Sequence, residues 1–445
     1  MFLPIAELRA GFQSGSVTPR DVVETCLRRI DRWESSIRAW VSVDRQGART
    51  AAEEATRCYE RGESQGPLAG IPLGMKDIVD LAGMRTGAGS PLRDSHCAAA
   101  DAPVVTRLRQ AGAIILGKTV TTEFACFDPP VTCNPWNLSR SPGGSSSGSA
   151  AAVAMGMCVA SIGTQTGGSI IRPASFCGIA GFKPTHGLVD TAGVVPISER
   201  LDHVGPMGRY VADLAELFGV IARPAAALSA SRAARVAGAW RGATIRGYFG
   251  PLASQETSAA WESALDKLSA RGVPLEELVL PSAFEHVAEM HLRIMAGDMA
   301  QAHRAPFTAN RPAYGPRVSE LIDRGLNLSA SDYEQAVRHH RQFQDEIDAW
   351  LPVDAILLLP STVTTAPDRS STGNPLFNAP WSYTGMPSIT VPIGLAADGL
   401  PCGLQLVASR NHDWQLLAAA QEAEQILQFG ERPPLAAAEF QGGDN

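Results

Sequence analysis

The chain has 445 residues, 45% of them hydrophobic and 19% charged, with a formal net charge of −7. This composition is typical of a globular protein with a sizeable core and excludes a largely disordered chain. The acidic balance and the lack of any Lys/Arg-rich run argue against nucleic acid or an anionic membrane as a partner.

Localisation and redox state can be predicted from the start of the chain and its cysteines. Residues 1–10 lack the basic start and apolar stretch of a signal peptide, and no apolar run reaches membrane-spanning length. The eight cysteines include no C-x-x-C pair, and the nine histidines form no H-E-x-x-H motif. We therefore expect a cytoplasmic protein with reduced thiols and no metal.

Apolar spacing and capping residues predict helices that alternate with short apolar strands. A Thr-Pro pair at residues 18–19 marks the start of a helix through about residue 30. The other predicted helices cover residues 45–61, 101–110, 212–222, 254–270 and 413–427. Strands are predicted at residues 70–77, 113–116, 244–249, 275–280, 355–359, 388–393 and 403–407. This alternation predicts an α/β sandwich around a mostly parallel or mixed sheet.

Residues 283–350 are different, because their pattern is almost wholly helical. Breaks are predicted at residues 306–316 and 329–331, where proline or serine interrupts the helical spacing. We expect this region to form a helical cap over a site. No internal repeat or low-complexity linker marks a domain boundary.

Two short motifs point to the wrong chemistry. Residues 112–119 match the phosphate-loop pattern G-x-x-x-x-G-K-[ST], but the four middle residues are A-I-I-L, themselves the predicted strand. Residues 144–148 match G-x-S-x-G, the nucleophile elbow, with Ser146 as nucleophile. That elbow must follow a strand, whereas residues 134–142 read as a loop, so neither interpretation is retained.

The segment from residue 140 to 185 carries the strongest functional signal. It holds two glycine-flanked serine clusters separated by an Ala-rich stretch of helical composition. Glycine pairs beside a serine let the backbone approach a ligand closely and aim unshielded N–H groups at it, as in an oxyanion hole.

The motifs in and around this segment resemble those of the amidase signature family. They read G-M-K-D at residues 74–77, P-G-G-S-S-S-G-S-A at 142–150 and G-T-Q-T-G-G-S at 163–169. Further matches lie at residues 172–178, 181–185, 201–207, 387–393 and 399–407. The resemblance implies the amidase-signature fold, with a large mixed, largely parallel sheet sandwiched by helices. It also implies one domain over residues 1–445, with a signature core at 62–210; the cap at 283–350 is predicted from the helical pattern alone.

The resemblance implies a Ser–Ser–Lys triad and no cofactor. Ser169 would be the nucleophile, Ser145 the bridging serine, typically on a cis peptide bond, and Lys76 the base. Burial would keep the amine neutral, since desolvation lowers the pKa of a lysine. A lysine that ends a strand is otherwise most often a solvated surface residue, and Gly-Ser runs are most often flexible loops.

Other residues of the site have less specific predictions. The amides of Thr166, Gly167, Gly168 and the nucleophile would hold the oxyanion. Asp77 is as well explained by hydrogen bonds to nearby backbone as by a functional role. Ser146 and Ser147 are expected to support the loop.

Two departures from the family pattern bear on the substrate. Where the family commonly reads T-D-T-G-G-S-I-R, this chain has Gln165 in place of the acid and Arg172 one place later. This variant resembles the malonamidase-like branch and argues against the glutamine amidotransferase branch. We expect Gln165 and Arg172 to bind substrate, Arg172 through a carboxylate. The alternative for Arg172 is a structural ion pair, for instance with Asp202.

The sequence therefore predicts an amidase that acts on a small-molecule amide such as malonamate. One alternative is a transamidase subunit of the glutamine amidotransferase A type that delivers ammonia to a partner. An alternative of another class is a non-catalytic binding module. Homodimers are common among similar proteins, although no feature of this sequence specifies the oligomeric state.

Overall fold

The structure is a computed structural model that describes residues 3–63, 66–224 and 240–441. Its centre is a mixed sheet of eleven strands in the order β1-β3-β2-β4-β6-β5-β10-β11-β9-β7-β8. The strands are β1 Trp40–Val43, β2 Pro72–Lys76, β3 Ile114–Thr119, β4 Ala160–Gln165, β5 Ala180–Lys183, β6 His203–Gly208, β7 Arg241–Thr244, β8 Leu275–Glu277, β9 Ala355–Pro360, β10 Ser388–Leu395 and β11 Pro401–Val407.

The predicted mixed sheet is confirmed, but its parallel share was overestimated. Parallel pairing joins β2 to β3 and β4, and β7 to β8 and β9. The other six pairings of the described strands are antiparallel. The physical reason is visible at β10 and β11, where residues 396–400 form a short turn that leaves no room for a helical crossover.

Helices cover both faces of the sheet. They are α1 Ile5–Ser14, α2 Pro19–Ile37, α3 Arg45–Glu60, α4 Pro103–Gln110, α5 Ser147–Ala154, α6 Ile171–Phe176, α7 Val211–Ile221, α8 Arg246–Leu252, α9 Gln255–Ala270, α10 Val287–Asn310, α11 Pro316–Leu326, α12 Ala330–Trp350, α13 Ala379–Tyr383, α14 Asp413–Leu427 and α15 Pro434–Gln441. Among the described residues, no helix is both long and apolar enough to cross a membrane.

The two faces can be read from the alternation of side chains along β9. Ile356 and Leu358 pack into the core that α1, α4, α7, α9 and α14 share, whereas Leu357 and Leu359 pack toward α8 and α10–α13. A third core, built from α2, α3, α5 and α6, lies against β3 through Ile114 and its neighbours. Burial on both faces explains why β9, with the sequence A-I-L-L-L-P, is apolar along its length.

Capping fixes the predicted helix starts more firmly than their ends. Thr18 and Asp21 form a capping box, with Pro19 at the first helical position, so α2 begins where the sequence predicted. It continues to Ile37, seven residues beyond the predicted end. The last predicted helix, residues 413–427, agrees with α14 at both ends.

One predicted strand is wrong. Residues 244–249 were expected to be a strand, but β7 ends at Thr244 and α8 begins at Arg246. The apolar positions of this short run do not distinguish a strand from a buried helix by spacing alone. Packing decides the conformation here, because Phe249 is fully buried with its ring centroid 5.0 Å from that of Phe377.

The helical region at residues 283–350 forms as predicted. A short 3-10 turn leads into α10, and the first break falls at residues 311–315, between α10 and α11. The second break is capped by Ser329, whose hydroxyl accepts the amide of Asp332 at the start of α12. Helix α10 packs on α11, α12 and α13, and it contacts the residue that follows β4 through His291.

Candidate active site

Lys76 is the last residue of β2 and is completely buried. Because β2 and β4 run parallel, with Met75 opposite Ile162, their carboxyl ends lie at the same edge of the sheet. The Nζ atom of Lys76 lies 2.7 Å from Ser145 Oγ and 2.7 Å from Thr164 Oγ1. Burial lowers the pKa of Lys76 to about 7. Near neutrality a large fraction of this amine is therefore uncharged and able to accept a proton.

Ser145 lies in the loop before α5, and the Gly144–Ser145 peptide bond is cis, where the family resemblance places one. The next two serines hold this loop in place. Ser146 Oγ lies 3.2 Å from both the carbonyl oxygen and the amide nitrogen of Thr164. Ser147 Oγ donates to the carbonyl of Gly143 at 2.8 Å. These contacts are the loop-supporting ones that the sequence predicted.

Ser169 follows β4 and lies against the Ser145 loop. Its carbonyl accepts the amide of Ser146 at 3.3 Å, which ties the two serine-bearing loops together. The Ser169 side chain borders a cavity of about 210 Å³. The structure thus joins the backbone of Ser169 to the loop that carries Ser145 and places Ser169 at the border of a cavity.

At residues 166–169 the backbone carbonyls are occupied, and the amides of the last three residues are free. Within the described ranges, no protein group accepts a hydrogen bond from the amides of Gly167, Gly168 or Ser169. The carbonyls of the same three peptide groups each accept one hydrogen bond. Thr166 accepts from His291 Nε2 at 3.0 Å, Gly167 from Ser382 Oγ at 3.0 Å, and Gly168 from the amide of Arg172 at 2.9 Å. Free amides beside a serine are what an oxyanion hole requires.

Gln165, expected to bind substrate, lies behind the cavity instead of lining it. Its Oε1 accepts the amides of Ile170 and Ile171 at 2.8 and 3.0 Å, and its Nε2 donates to Ser382 at 3.1 Å. It is fully buried and is not among the residues that border the cavity. Its contacts therefore hold the turn that carries Ser169.

Arg172 borders the cavity and is almost completely buried. Its Nη2 donates to the carbonyl of Gly144 at 2.8 Å, and burial lowers its pKa to about 10. In the described part of the chain, Nε and Nη1 have no hydrogen-bond partner. A buried guanidinium without a carboxylate partner is costly, so this group is well placed to attract an anion.

Asp202 does not form an ion pair with Arg172, which was the alternative role considered for that arginine. Its carboxylate accepts hydrogen bonds from Thr166 Oγ1 and from the amides of Ile197 and Ser198, at 2.5, 2.9 and 3.0 Å. Burial raises its pKa to about 6. Its negative charge raises the pKa of Lys76 against the larger effect of burial.

Asp77 has the structural role that the sequence considered for it. Its carboxylate lies 3.2 Å from Lys118 Nζ and accepts the amide of Gly87 at 3.2 Å. Lys118 belongs to the segment that matched the phosphate-loop pattern, and that segment is β3. Lys118 therefore forms a buried ion pair with Asp77 inside the sheet, and the segment does not have the conformation of a phosphate loop.

The cavity beside Ser169 has one wall that no sequence motif revealed. Helix α10 contributes Ala288, His291, Leu292 and Met295 to it. The signal was available in retrospect, because His291 belongs to the buried stripe of α10 that also includes Val287, Met290, Ile294 and Met295. A histidine within the apolar stripe of an amphipathic helix indicates a specific polar partner.

The chain is similar to known proteins along most of its length. A sequence profile of the amidase family matches residues 21–417. The chain is 33% identical to the A subunit of glutamyl-tRNA(Gln) amidotransferase from Synechococcus sp. (strain CC9605), with 98% of each chain covered. Proteins of the same name from other bacteria, among them Roseiflexus sp. (strain RS-1) at 34%, are similarly related.

Solved structures show the same fold. The native peptide amidase from Stenotrophomonas maltophilia superposes with a TM-score of 0.82 at 29% identity, covering 97% of this chain and 98% of that one. A chain from a vestigial protein complex connected with the origin of an s-triazine catabolic enzyme superposes with a TM-score of 0.88. It is 29% identical, with 95% of this chain and 98% of that chain covered.

Proposed function

The chain belongs to the amidase family, and from that premise we propose that it cleaves a small amide through an acyl-enzyme on Ser169. The observation that carries this proposal is the desolvated amine of Lys76, which lies 2.7 Å from the hydroxyl of Ser145. The loop that holds Ser145 is in turn hydrogen-bonded to the backbone of Ser169. A buried neutral lysine can act as a base, and one intervening hydroxyl is enough to relay the proton to it.

The reaction follows from this arrangement. Lys76 accepts the proton of Ser145 while Ser145 accepts that of Ser169, whose oxygen then attacks the amide carbonyl carbon. The C=O π electrons move to oxygen, and when they return the C–N bond breaks. The relay gives its proton to the departing nitrogen, which leaves as ammonia or an amine. Water, deprotonated through the same relay, then hydrolyses the ester on Ser169 and restores it.

The developing oxyanion would be held by the free amides of Gly167, Gly168 and Ser169, with Thr166 as the fourth expected donor. These groups are fixed before the reaction, because the carbonyls on the other side of the same peptides are already bonded. Loss of one such donor typically costs about 3 kcal/mol of transition-state stabilisation.

The cavity indicates a small substrate. Its volume of about 210 Å³ lies below the roughly 300–1,000 Å³ of most ligand pockets. Most of its wall is apolar, and Arg172 is the cation that borders it. An amide with a short acyl chain that carries a carboxylate, such as malonamate, would match both features. Gln165 then acts by holding the Ser169 turn and not by touching substrate.

A second candidate function is that of an amidotransferase component that delivers ammonia to a partner. It is favoured by the curated relatives, which are named as the A subunit of glutamyl-tRNA(Gln) amidotransferase and are matched over nearly their whole length. These relatives support this function better than malonamate hydrolysis. It predicts a weak amidase when the chain is alone and strong stimulation by a partner protein, with glutamine as the amide.

Assays of ammonia release test both candidates. Malonamate, aliphatic and aryl amides, and glutamine are compared for the wild-type chain and for Arg172→Ala, and a separate sample of each protein is tested for labelling of Ser169 by a fluorophosphonate. Turnover of small amides by the chain alone supports the hydrolase, with malonamate losing most from Arg172→Ala. Turnover of glutamine that appears only with a partner supports the amidotransferase. Absence of Ser169 labelling would refute both and leave a non-catalytic binding module.

The organisation of the chain supplies further proposals. We propose that residues 1–445 form one domain, in which residues 62–210 carry the reactive groups and residues 283–350 cap the cavity through α10.

All eight cysteines are free thiols, and six of them are buried. Free thiols fit the reducing conditions of a cytoplasm.

A further inference from the structure

His291 joins the wall of the cavity to the segment that carries Ser169. It projects from α10, is buried, and borders the same cavity as Ser169. Its Nε2 lies 3.0 Å from the carbonyl oxygen of Thr166. A Cβ built on Gly167 would lie 3.7 Å from His291 Cε1, so the ring lies next to the open side of this glycine.

The tautomer of His291 follows from this hydrogen bond. A carbonyl oxygen only accepts, so Nε2 carries the hydrogen. Burial lowers the pKa of His291 and keeps the ring neutral. Nδ1 therefore has a lone pair, and no group in the described ranges donates to it. Among the residues that border the cavity, His291 thus offers one ring nitrogen that can accept a hydrogen bond.

The part of the substrate that remains on Ser169 is the part that would occupy this cavity. The leaving nitrogen must lie against Ser145, which returns its proton, yet neither Ser145 nor Lys76 borders the cavity. The cavity lined by Leu292 and Met295 is left for the acyl chain. An acyl chain that fills it displaces any water on Nδ1 and leaves that atom unpaired unless the chain itself donates.

We propose that His291 is a specificity-determining residue, whose Nδ1 accepts a hydrogen bond from an uncharged N–H or O–H on the acyl portion of the amide. This inference rests on the proposed amide cleavage at Ser169. The donor is uncharged because the guanidinium of Arg172 borders the same small space and would repel an ammonium group. The substrate class is thus a short amide that has a hydroxyl, amide or similar donor along its acyl chain, in addition to any carboxylate bound by Arg172, so malonamate would satisfy Arg172 and not His291.

Matched substrates isolate this contact. 3-Hydroxypropionamide and butyramide have the same number of heavy atoms and differ by a hydroxyl in place of a methyl group, and 3-methoxypropionamide offers an acceptor without a donor. We expect kcat/KM of the wild-type chain to favour the hydroxyl compound over butyramide by about tenfold or more, the usual effect of an unpaired buried polar group.

Two conservative variants separate the two nitrogens of His291. His291→Gln keeps a donor near the Nε2 position for the Thr166 carbonyl and lacks an acceptor at the Nδ1 position, so the tenfold preference should vanish. His291→Asn keeps an oxygen near the Nδ1 position and loses the contact with Thr166. It should turn over both amides more slowly while it retains most of the preference.

The outcomes are distinct. A wild-type preference near unity, or a preference unchanged in His291→Gln, would overturn the role of Nδ1. Failure of the wild type to hydrolyse any amide would refute the proposed function instead. In that case calorimetric binding of the same amides to Ser169→Ala still reports the preference, and equal affinities would overturn the inference independently.

Discussion

Replacing Lys76 with methionine should make the protein inactive and, over a defined pH range, more stable relative to the wild type. Methionine fills a similar volume without an ionisable group. The wild-type ammonium is unfavourable in its site because burial, the largest effect on it, lowers the pKa from the ordinary 10.5 to about 7. This gap of about 3.5 units corresponds to about 5 kcal/mol against the charged form.

The sign of the pH dependence is fixed by proton binding. Between about pH 7 and pH 10.5 the unfolded chain holds a proton on Lys76 that the folded chain has released. The free energy of unfolding of the wild type therefore rises with pH, by about 1.4 kcal/mol per unit. The methionine variant lacks this contribution. Its advantage over the wild type should shrink by about 3 kcal/mol between about pH 7.5 and pH 9.5.

Urea unfolding of both proteins at these two pH values measures the change. Other titrating groups are common to both chains and cancel in the difference. The hydroxyls of Ser145 and Thr164 lose a partner in the variant, but that cost is the same at both pH values. Lys267→Met, at an exposed position, is the control for loss of one lysine. If the difference in stability between the two proteins does not change with pH, the amine of Lys76 is not neutral in the folded protein and the argument is refuted.

Two further predictions concern the same site. Asp202→Asn removes a negative charge that raises the pKa of Lys76, so the acidic limb of the kcat/KM profile should move to lower pH; movement to higher pH would contradict this assignment. Gly168→Ala should reduce kcat by about 10²–10³-fold, because its Cβ would lie 2.7 Å from Asn378 Oδ1 and displace the backbone. Gly167→Ala, whose Cβ would meet nothing nearer than 3.7 Å, is the matched control and should retain most activity in the same assay.

The sequence was most informative where one residue type has one physical explanation. Lys76 could be placed at the end of a buried strand because an apolar run leads directly to it, and the structure puts it there with no exposure. The Gly-Gly-Ser turn could be predicted to bring its backbone close to a ligand, because glycine has no side chain that could serve another purpose there. In both cases a local pattern and the chemistry required the same conformation.

The pairing of strands could not be predicted from such local patterns. Strand β6 contains two glycines and a proline, a composition that argues against a strand, and it went unrecognised. It nevertheless pairs along its whole length with β4, with Pro206 opposite Ile162. Tertiary context overrides propensity here, because the neighbouring strands supply the packing that the sequence of β6 lacks.

The residues that border the cavity could be predicted only in part. Arg172 and Gln165 were both expected to contact substrate, yet only Arg172 borders the cavity. The two lie in one short motif, and no spacing rule tells which of them faces the ligand. His291 comes from a helix more than a hundred residues later, and a contact between such distant segments is set by the fold and not by local sequence.

The position of β10 and β11 has a consequence for biosynthesis. These strands lie between β5 and β9, so the middle of the sheet is completed by residues translated after position 387. Until then a nascent chain carries β5 and β9 with unpaired backbone along their facing edges, the condition that favours aggregation. Ribosome-bound fragments that stop short of β10 should therefore depend on chaperones, whereas chains that extend beyond β11 can close the sheet on their own.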